Sequence, residues 1–340
     1  MNREVNQVGK WIVYAILLVI INIHQIKAQI PVNDMTWDSI FYDAFNSLDT
    51  SRWNREYSWG RANNGLELCI DSNLIFQSGW LKIRTDTLVP NTNYSGKSYR
   101  YQGGILRSKA SYKYGYFETS SKMPMGRGLW PAFWLLKING CTWYNEIDIN
   151  EPGGPQSETG SKTTLNYLWK WAHVDSCRSS PNQAIEVNVG NTAQEHKYGV
   201  LWQPGKMIWF LDDSVVYAES NIDSTPSNAM EIYLNFAIDP WNPPNGGSVF
   251  PKYYETNWIK VHQLKRACDV DTAPCPYNHA TYDRKIKKSI SLGGAGCSSS
   301  LSTQDQISLW ATDYILLSDS VTLNQSGTGF ISLNISACPN

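Results

Sequence analysis

The sequence predicts an all-β protein, a sandwich of antiparallel sheets followed by a small β module. Three observations carry that expectation. Short runs of alternating apolar and polar residues recur from Thr36 to about Arg266, each bounded by turn-forming residues. No convincing long amphipathic helix interrupts them. After Lys265 the composition shifts toward Ser, Thr, Gly and β-formers, which marks a second, smaller unit.

In chain order, the first element is a targeting segment. Arg3 and Lys10 precede an apolar stretch from Trp11 to Ile23, and Ala28 offers a small residue before a cut at Gln29. The stretch is too short to span a bilayer and has the form of a secretory signal over residues 1–28. The mature protein is therefore expected to be exported, with no membrane span. Within the main unit, residues 36–266, strands are expected at Leu81 to Thr85, Tyr116 to Met123, and Lys206 to Leu211 with an Asp212-Asp213 turn. Further strands are expected at Met230 to Ile238 and Asn257 to Leu264. Residues 91–98 and 242–247, rich in Asn, Gly, Pro and Ser, read as loops. Cys268 to Pro276 reads as a linker tied by its own cysteine pair, and the rest of 267–340 as a small β module ending in Tyr314 to Leu317 and Phe330 to Ile335.

Charge and cysteines narrow the chemistry. Loss of residues 1–28 removes Arg3, Lys10, Lys27 and Glu4, which moves the formal charge from −1 to −3. So weak a balance disfavours nucleic acid or an acidic membrane as partner, and a neutral substrate is the simplest match. Fifteen tryptophans and nineteen tyrosines exceed what the core needs, and aromatic faces stack on the apolar faces of sugar rings. Seven cysteines in an exported chain imply disulfides with one thiol left over. Cys141 and Cys177 flank the acidic segment discussed next, although the sequence leaves their pairing open. No Cys-x-x-Cys or His-Glu-x-x-His provides a seat for zinc, and no Gly-x-Ser-x-Gly provides a serine nucleophile.

The acidic segment is Glu146-Ile147-Asp148-Ile149-Asn150-Glu151. In a strand, Glu146 and Asp148 share a face, whereas Glu151 points away unless one extra residue bulges out between Asp148 and Glu151. With the bulge, the glutamate α-carbons lie roughly 13 Å apart at ~3.3 Å per residue. On a concave strand their carboxyl groups can then approach to about 5–5.5 Å, the separation a retaining glycosidase needs. Such a site requires one ionised carboxylate and one protonated carboxyl at the same pH, and crowding of like charges separates their pKa values. Glu146 is accordingly expected as nucleophile, Glu151 as general acid/base and Asp148 as the group that orients Glu146. The competing readings are an acidic edge strand or a calcium loop. The segment lacks the ligand spacing and glycine of an EF-hand, and Ile147 and Ile149 make it half-buried.

With those acids in place, the chain from about Phe41 to Leu264 resembles glycoside hydrolase family 16, the laminarinase and agarase group. Glu146-Ile-Asp148-Ile-Asn-Glu151 matches the family's bulged acidic motif. Tyr114-Gly115-Tyr116-Phe117-Glu118 and Gly128-Leu129-Trp130-Pro131-Ala132-Phe133-Trp134 resemble the segments that precede it. His196-Lys197-Tyr198, Trp202, Trp209-Phe210-Leu211-Asp212-Asp213 and Leu234-Asn235-Phe236 resemble those that follow. The resemblance implies a β-jelly-roll of two curved antiparallel sheets with an open cleft, and endo-cleavage of a β-linked polysaccharide with retention; the chain is expected to act as a monomer. It implies no cofactor for catalysis and, in many members, a structural calcium away from the cleft, whose ligands the sequence does not identify. It also implies substrate-binding roles for Trp130 and Trp134 beside the scissile bond, for Asn166 on the next strand, and for Trp241 as a stacking platform. Core packing competes for the two β-strand tryptophans, and His196 reads as a structural histidine.

Two departures bear on the substrate. Asn166 stands where many laminarinases carry a histidine, and Ile105 stands where they carry an arginine, with Arg107 two places on and about 7 Å away. The expected substrate is β-1,3- or mixed β-1,3/1,4-glucan. The alternatives are an algal galactan such as agar, porphyran or carrageenan, transglycosylation, and a non-catalytic β-glucan-binding protein on the same scaffold.

Overall fold

Alternating side chains give each strand one face for a core, and in the computed structural model of the chain those faces close on each other as two stacked sheets. The structure describes residues 37–340 apart from 64, 140, 153–161, 174–175, 180–182, 204–205, 220–225, 227, 306, 325–330, 336–337 and 339–340. The export signal expected over residues 1–28 lies outside the described residues.

The first strands are β1 (Trp37–Asp43), β2 (Trp53–Asn54), β3 (Glu67–Cys69), β4 (Leu74–Gln77), β5 (Trp80–Tyr94) and β6 (Lys97–Tyr112). They are followed by β7 (Gly115–Lys122), β8 (Leu129–Asn139), β9 (Cys141–Glu151), β10 (Lys162–His173), β11 (Ser176–Ser179) and β12 (Gln183–Asn188). The sandwich is completed by β13 (His196–Gln203), β14 (Lys206–Leu211), β15 (Ser214–Glu219), β16 (Met230–Ile238) and β17 (Lys252–Leu264). One sheet runs β2, β6, β16, β8, β9, β10, β12, with antiparallel neighbours throughout. The other runs β4, β5, β17, β7, β13, β14, β15, with β1 also paired to β17. Between them lies the main core, which includes Phe117, Phe133, Ile147, Ile149, Trp202, Trp209, Leu234 and Tyr254. A second apolar cluster, with Tyr57, Ile105, Trp134 and Tyr233, is separate from this core and uses the alternate residues of β6, β8 and β16. Those residues therefore line the opposite face of the first sheet.

Asp212 and Asp213 form the expected turn, with φ of 48° and 67°. The 91–98 stretch departs from expectation. It is the tip of a hairpin, with β5 running to Tyr94, β6 starting at Lys97, and Ser95 and Gly96 at φ of 49° and 80°. Both central residues in the left-handed region are what a two-residue hairpin turn requires. Most of the arm is exposed apart from Tyr99, so backbone pairing more than burial defines it and apolar alternation gave no sign of it.

Beyond Leu264 the topology changes from antiparallel to parallel. The strands are β18 (Arg266–Thr272), β19 (Ile286–Leu292), β20 (Ser299–Ser302), β21 (Ile307–Leu317), β22 (Val321–Asn324) and β23 (Ile331–Ile335). β18, β19, β21 and β23 form one parallel sheet, and β20 and β22 a second parallel pair. Successive turns of chain stack like on like: Ile290 pairs with Ile315, Leu309 with Leu333, and Leu301 with Leu323. The stack encloses its own core of Tyr277, Ile290, Leu292, Leu301, Ile307, Leu309 and Ala311. Ile286, Cys268 and Trp310 pack with Trp37, Tyr116, Leu201, Phe210 and Leu264, which fixes the module to the sandwich.

The disulfides correct the expected linker. Cys268 bonds to Cys338 and Cys275 to Cys297, so Cys268 to Pro276 is not closed by its own pair. Coiling of parallel strands brings distant turns together, and Cys268 itself lies in β18. Cys69 is the free, buried thiol among the described residues. Cys141 and Cys177 lie in β9 and β11, and their side chains are outside the described residues. Because the Cys268–Cys338 bridge closes a long loop, replacing both residues by Ser is expected to cost about 2–4 kcal/mol of module stability. Calorimetry checks this as a lower-temperature transition for the variant.

Candidate active site

The acidic strand β9 lies between β8 and β10, and its register against both carries an irregularity beside the acids. Against β8, Trp134 faces Asp148 while Phe133 faces Asn150; against β10, Asn166 faces Asp148 while Thr164 faces Glu151. Both partners therefore count one extra residue in β9 between Asp148 and Glu151, the expected bulge. Ile147 and Ile149 point into the inter-sheet core. Asn150 is buried as well, and its amide reaches the Met123 sulfur at 3.6 Å. Two successive residues thus face the core, and Glu151 returns to the face shared by Glu146 and Asp148.

A bulge interrupts the backbone ladder, and the interrupted groups need other partners. Trp209 of β14 donates its indole N–H to the Asp148 carbonyl at 3.1 Å, across the core. Thr163 of β10 accepts the Glu151 N–H at 3.1 Å. The kink is held from below by one sheet and from the side by the next strand.

Glu146 and Glu151 are half-buried, and Asp148 is buried. Burial pushes the Glu151 carboxyl up to about 7. Hydrogen bonds from the Trp130 indole and with Asp148 act the other way, and the Asp239 charge adds to the upward push. Asp239 is itself buried, and one of its oxygens accepts the backbone N–H groups of Trp241 at 2.8 Å and Asn242 at 3.2 Å. That turn sets Trp241, 75% exposed, edge-on to Trp130 with ring centroids 5.4 Å apart.

The other expected residues divide. Trp134 faces Asp148 across the β8–β9 pair, but its indole donates to Asn235 at 2.6 Å and is almost wholly packed against Tyr233. Asn166 lies directly opposite Asp148 on β10, with its side chain outside the described residues. Ile105 belongs to the apolar cluster of the open face, while Arg107 pairs with Glu231 at 2.8 Å. His196 bonds Asp212 at 2.7 Å and the Asn191 carbonyl at 3.0 Å, a structural histidine away from the acids. Among the described residues no group of three or more Asp, Glu, His or Cys is arranged to hold a metal.

Sequence reasoning missed Asp239, Glu67 and Trp209. Asp239 stood in view beside Trp241, but only the fold brings it near Glu151. Glu67 is fully buried, accepts the Ile238 N–H at 2.7 Å, and burial pushes its carboxyl up to about 7. It anchors the end of β16 where the Asp239-Pro240-Trp241 loop begins. Gly65 makes the room, since a Cβ there would meet the Glu67 carboxyl at 2.1 Å.

Residues 51–260 match the sequence profile of glycosyl hydrolases family 16. The chain is 32% identical over 169 residues to the endo-1,3-1,4-beta-glycanase EglC of Rhizobium meliloti (strain 1021), covering 49% of this chain and 34% of that protein. It is 27% identical over 261 residues to glucan endo-1,3-beta-glucosidase A1 of Niallia circulans, covering 66% of this chain and 37% of that protein. The chain thus spans about a third of the length of these two curated relatives. Its fold is similar to the crystal structure of LamAcat from Zobellia galactanivorans, with a TM-score of 0.56, 24% identity, and 66% and 97% of the two chains covered.

The forces on Glu151 have opposite signs and can be separated. In carboxyl-carbon NMR, Glu151 is expected to titrate near pH 7, with Trp130→Phe raising that value and Asp239→Asn lowering it. Equal shifts in one direction would contradict the arrangement.

Proposed function

The chain belongs to glycosyl hydrolases family 16, and from that premise we propose that it is an exported retaining endo-glycosidase cleaving β-1,3- or mixed β-1,3/1,4-glucan. The observation that carries the reading is the bulge that returns Glu151 to the face of Glu146 and Asp148. A carboxyl held near pH 7 beside other acids is the proton inventory a double displacement needs.

In the first step, Glu151 protonates the glycosidic oxygen as the bond from that oxygen to the anomeric carbon breaks. The Glu146 carboxylate attacks the anomeric carbon from the opposite face and forms a glycosyl ester. Glu151, now ionised, then takes a proton from water, whose oxygen attacks the same carbon and expels Glu146. Two inversions give net retention. Trp130 orients Glu151 through its indole N–H. Asp148, between the two glutamates, hydrogen-bonds with Glu151 and restrains Glu146 from the adjacent position on the strand.

Export is supported by two disulfides in the module, a chemistry suited to oxidising compartments. Glucan is supported by the names of the curated relatives, both of which are glucan or glycan endo-hydrolases of 1,3-type linkages. The acids support an enzyme over a non-catalytic glucan binder, because binding alone requires no such crowding of carboxyls.

The test uses the mature chain with laminarin, barley glucan, agarose, porphyran and κ-carrageenan, reading reducing ends and product anomers. Reducing ends from the two glucans with the β-anomer formed first are expected; cleavage only of galactans, or the α-anomer first, would overturn the proposal. Glu146→Gln is expected to lose at least about 10³-fold in kcat. Glu151→Gln is expected to lose most with poor leaving groups and to be rescued by azide as the β-glycosyl azide. Rescue of Glu146 variants would instead give the α-azide, and identical behaviour of the two variants would contradict their assigned roles.

A further inference from the structure

Three hydrogen bonds hold the point where β16 leaves the first sheet at Ile238. The Glu67 side chain accepts the Ile238 N–H at 2.7 Å, and Leu66 donates its backbone N–H to the Ile238 carbonyl at 3.0 Å. One residue on, Asp239 donates its N–H to the Gly128 carbonyl at 3.0 Å. Both backbone polar groups of Ile238 are thus taken by residues 66–67, and Asp239 is tied to the residue that precedes β8. Across the β16–β8 pair, Ala237 lies opposite Trp130 and Ile238 opposite Leu129. The clamp therefore sits beside both groups that act on Glu151 from this side, the Trp130 indole and the Asp239 charge.

Two glycines make the slot for the Glu67 side chain. A Cβ at Gly65 would meet its carboxyl at 2.1 Å, and a Cβ at Gly103 would meet its Cγ at 2.8 Å and the Phe236 carbonyl at 2.4 Å. The titratable groups around the carboxyl are Tyr57 and Cys69 on one side and Lys97 and Tyr99 of the β5–β6 arm on the other. Those around Glu151 are Asp148 and Asp239, with Glu146 on the shared face of β9. Complete burial of an acid costs free energy. What Glu67 supplies in return is a fixed place for the end of β16.

We propose that Glu67 is a positioning residue for the general acid: it clamps Ile238 so that the next side chain, Asp239, stands where its charge acts on Glu151. This role rests on the glucan-hydrolase reading, in which Glu151 donates the proton. A negative charge nearby disfavours ionisation, so Asp239 keeps the proton on Glu151 to higher pH. Coulomb interaction weakens with distance, so an Asp239 released from the clamp acts less. Loss of the clamp therefore lets Glu151 ionise at lower pH, and the alkaline limb of kcat moves down with it. Glu67 works here as an acceptor for one N–H, a task that a glutamine oxygen also performs.

The experiment records pH profiles of kcat on laminarin and the carboxyl-carbon NMR titration of Glu151. It uses the wild type, Glu67→Ala, Glu67→Gln and Gly65→Ala, each also combined with Asp239→Asn. Gly65→Ala keeps Glu67 in the chain and displaces its carboxyl, so it disturbs the clamp without leaving a cavity. Glu67→Ala and Gly65→Ala are expected to lower both the alkaline limb and the Glu151 titration by about half a pH unit. Glu67→Gln is expected to keep the wild-type values, and in the Asp239→Asn background none of the three should move them further. A kcat reduced equally at every pH with the Glu151 titration unchanged would show a merely structural residue and overturn the proposal. So would an undiminished shift in the Asp239→Asn background. A wild type that cleaves no glucan would overturn the hydrolase reading instead, while the NMR titrations would still decide whether Glu67 holds Asp239 against Glu151.

Discussion

One additional residue between Asp148 and Glu151 is the constraint on which the site depends. With regular alternation, Glu151 would project into the apolar layer between the sheets, where an acid has no partner and a high desolvation cost. The insertion turns it outward, and the displaced backbone groups are satisfied by Trp209 from the opposite sheet and Thr163 from the next strand. Core and chemistry are therefore joined at a single point. The tryptophan that fills the interior also secures the strand that carries the acids, so loosening the packing there would disturb the spacing of the carboxyls before it unfolded the sandwich.

The electrostatics follow from that geometry. Glu151 is taken out of water by its neighbours, and the price in free energy appears as a proton retained to about pH 7. Trp130 opposes the shift while Asp239 reinforces it, and both belong to one small assembly through the contact of Trp130 with Trp241. Glu67 fixes the far end of the same assembly by holding the Ile238 N–H. The Asp239-Pro240-Trp241 loop thus adjusts the proton affinity of Glu151 through the Asp239 charge and the support of Trp130.

Much of this was legible in the residues, and the rest failed for identifiable reasons. The runs at Met230 to Ile238 and Lys206 to Leu211 are dominated by apolar residues, so burial revealed them as strands. The acids revealed the bulge because three such groups have a use only on a common face. Periodicity reports which side of a strand is buried, however, and not which strand lies beside it. The parallel stacking of the module, the exchange of its cysteine partners and the proximity of Asp239 to Glu151 all depend on non-local pairing. The β5–β6 arm escaped notice because backbone pairing, and not an alternating apolar face, holds most of it.

The covalent link between Cys268 and Cys338 has a mechanical consequence. It joins the first strand of the module to its last segment, so the intervening coils form a closed loop. Tension arriving at Cys338 passes through sulfur directly to β18, next to the junction with β17, and bypasses the stacked strands between them. The coils need bear none of that load, and the force reaches the β17–β18 junction without crossing the strand that carries the acids.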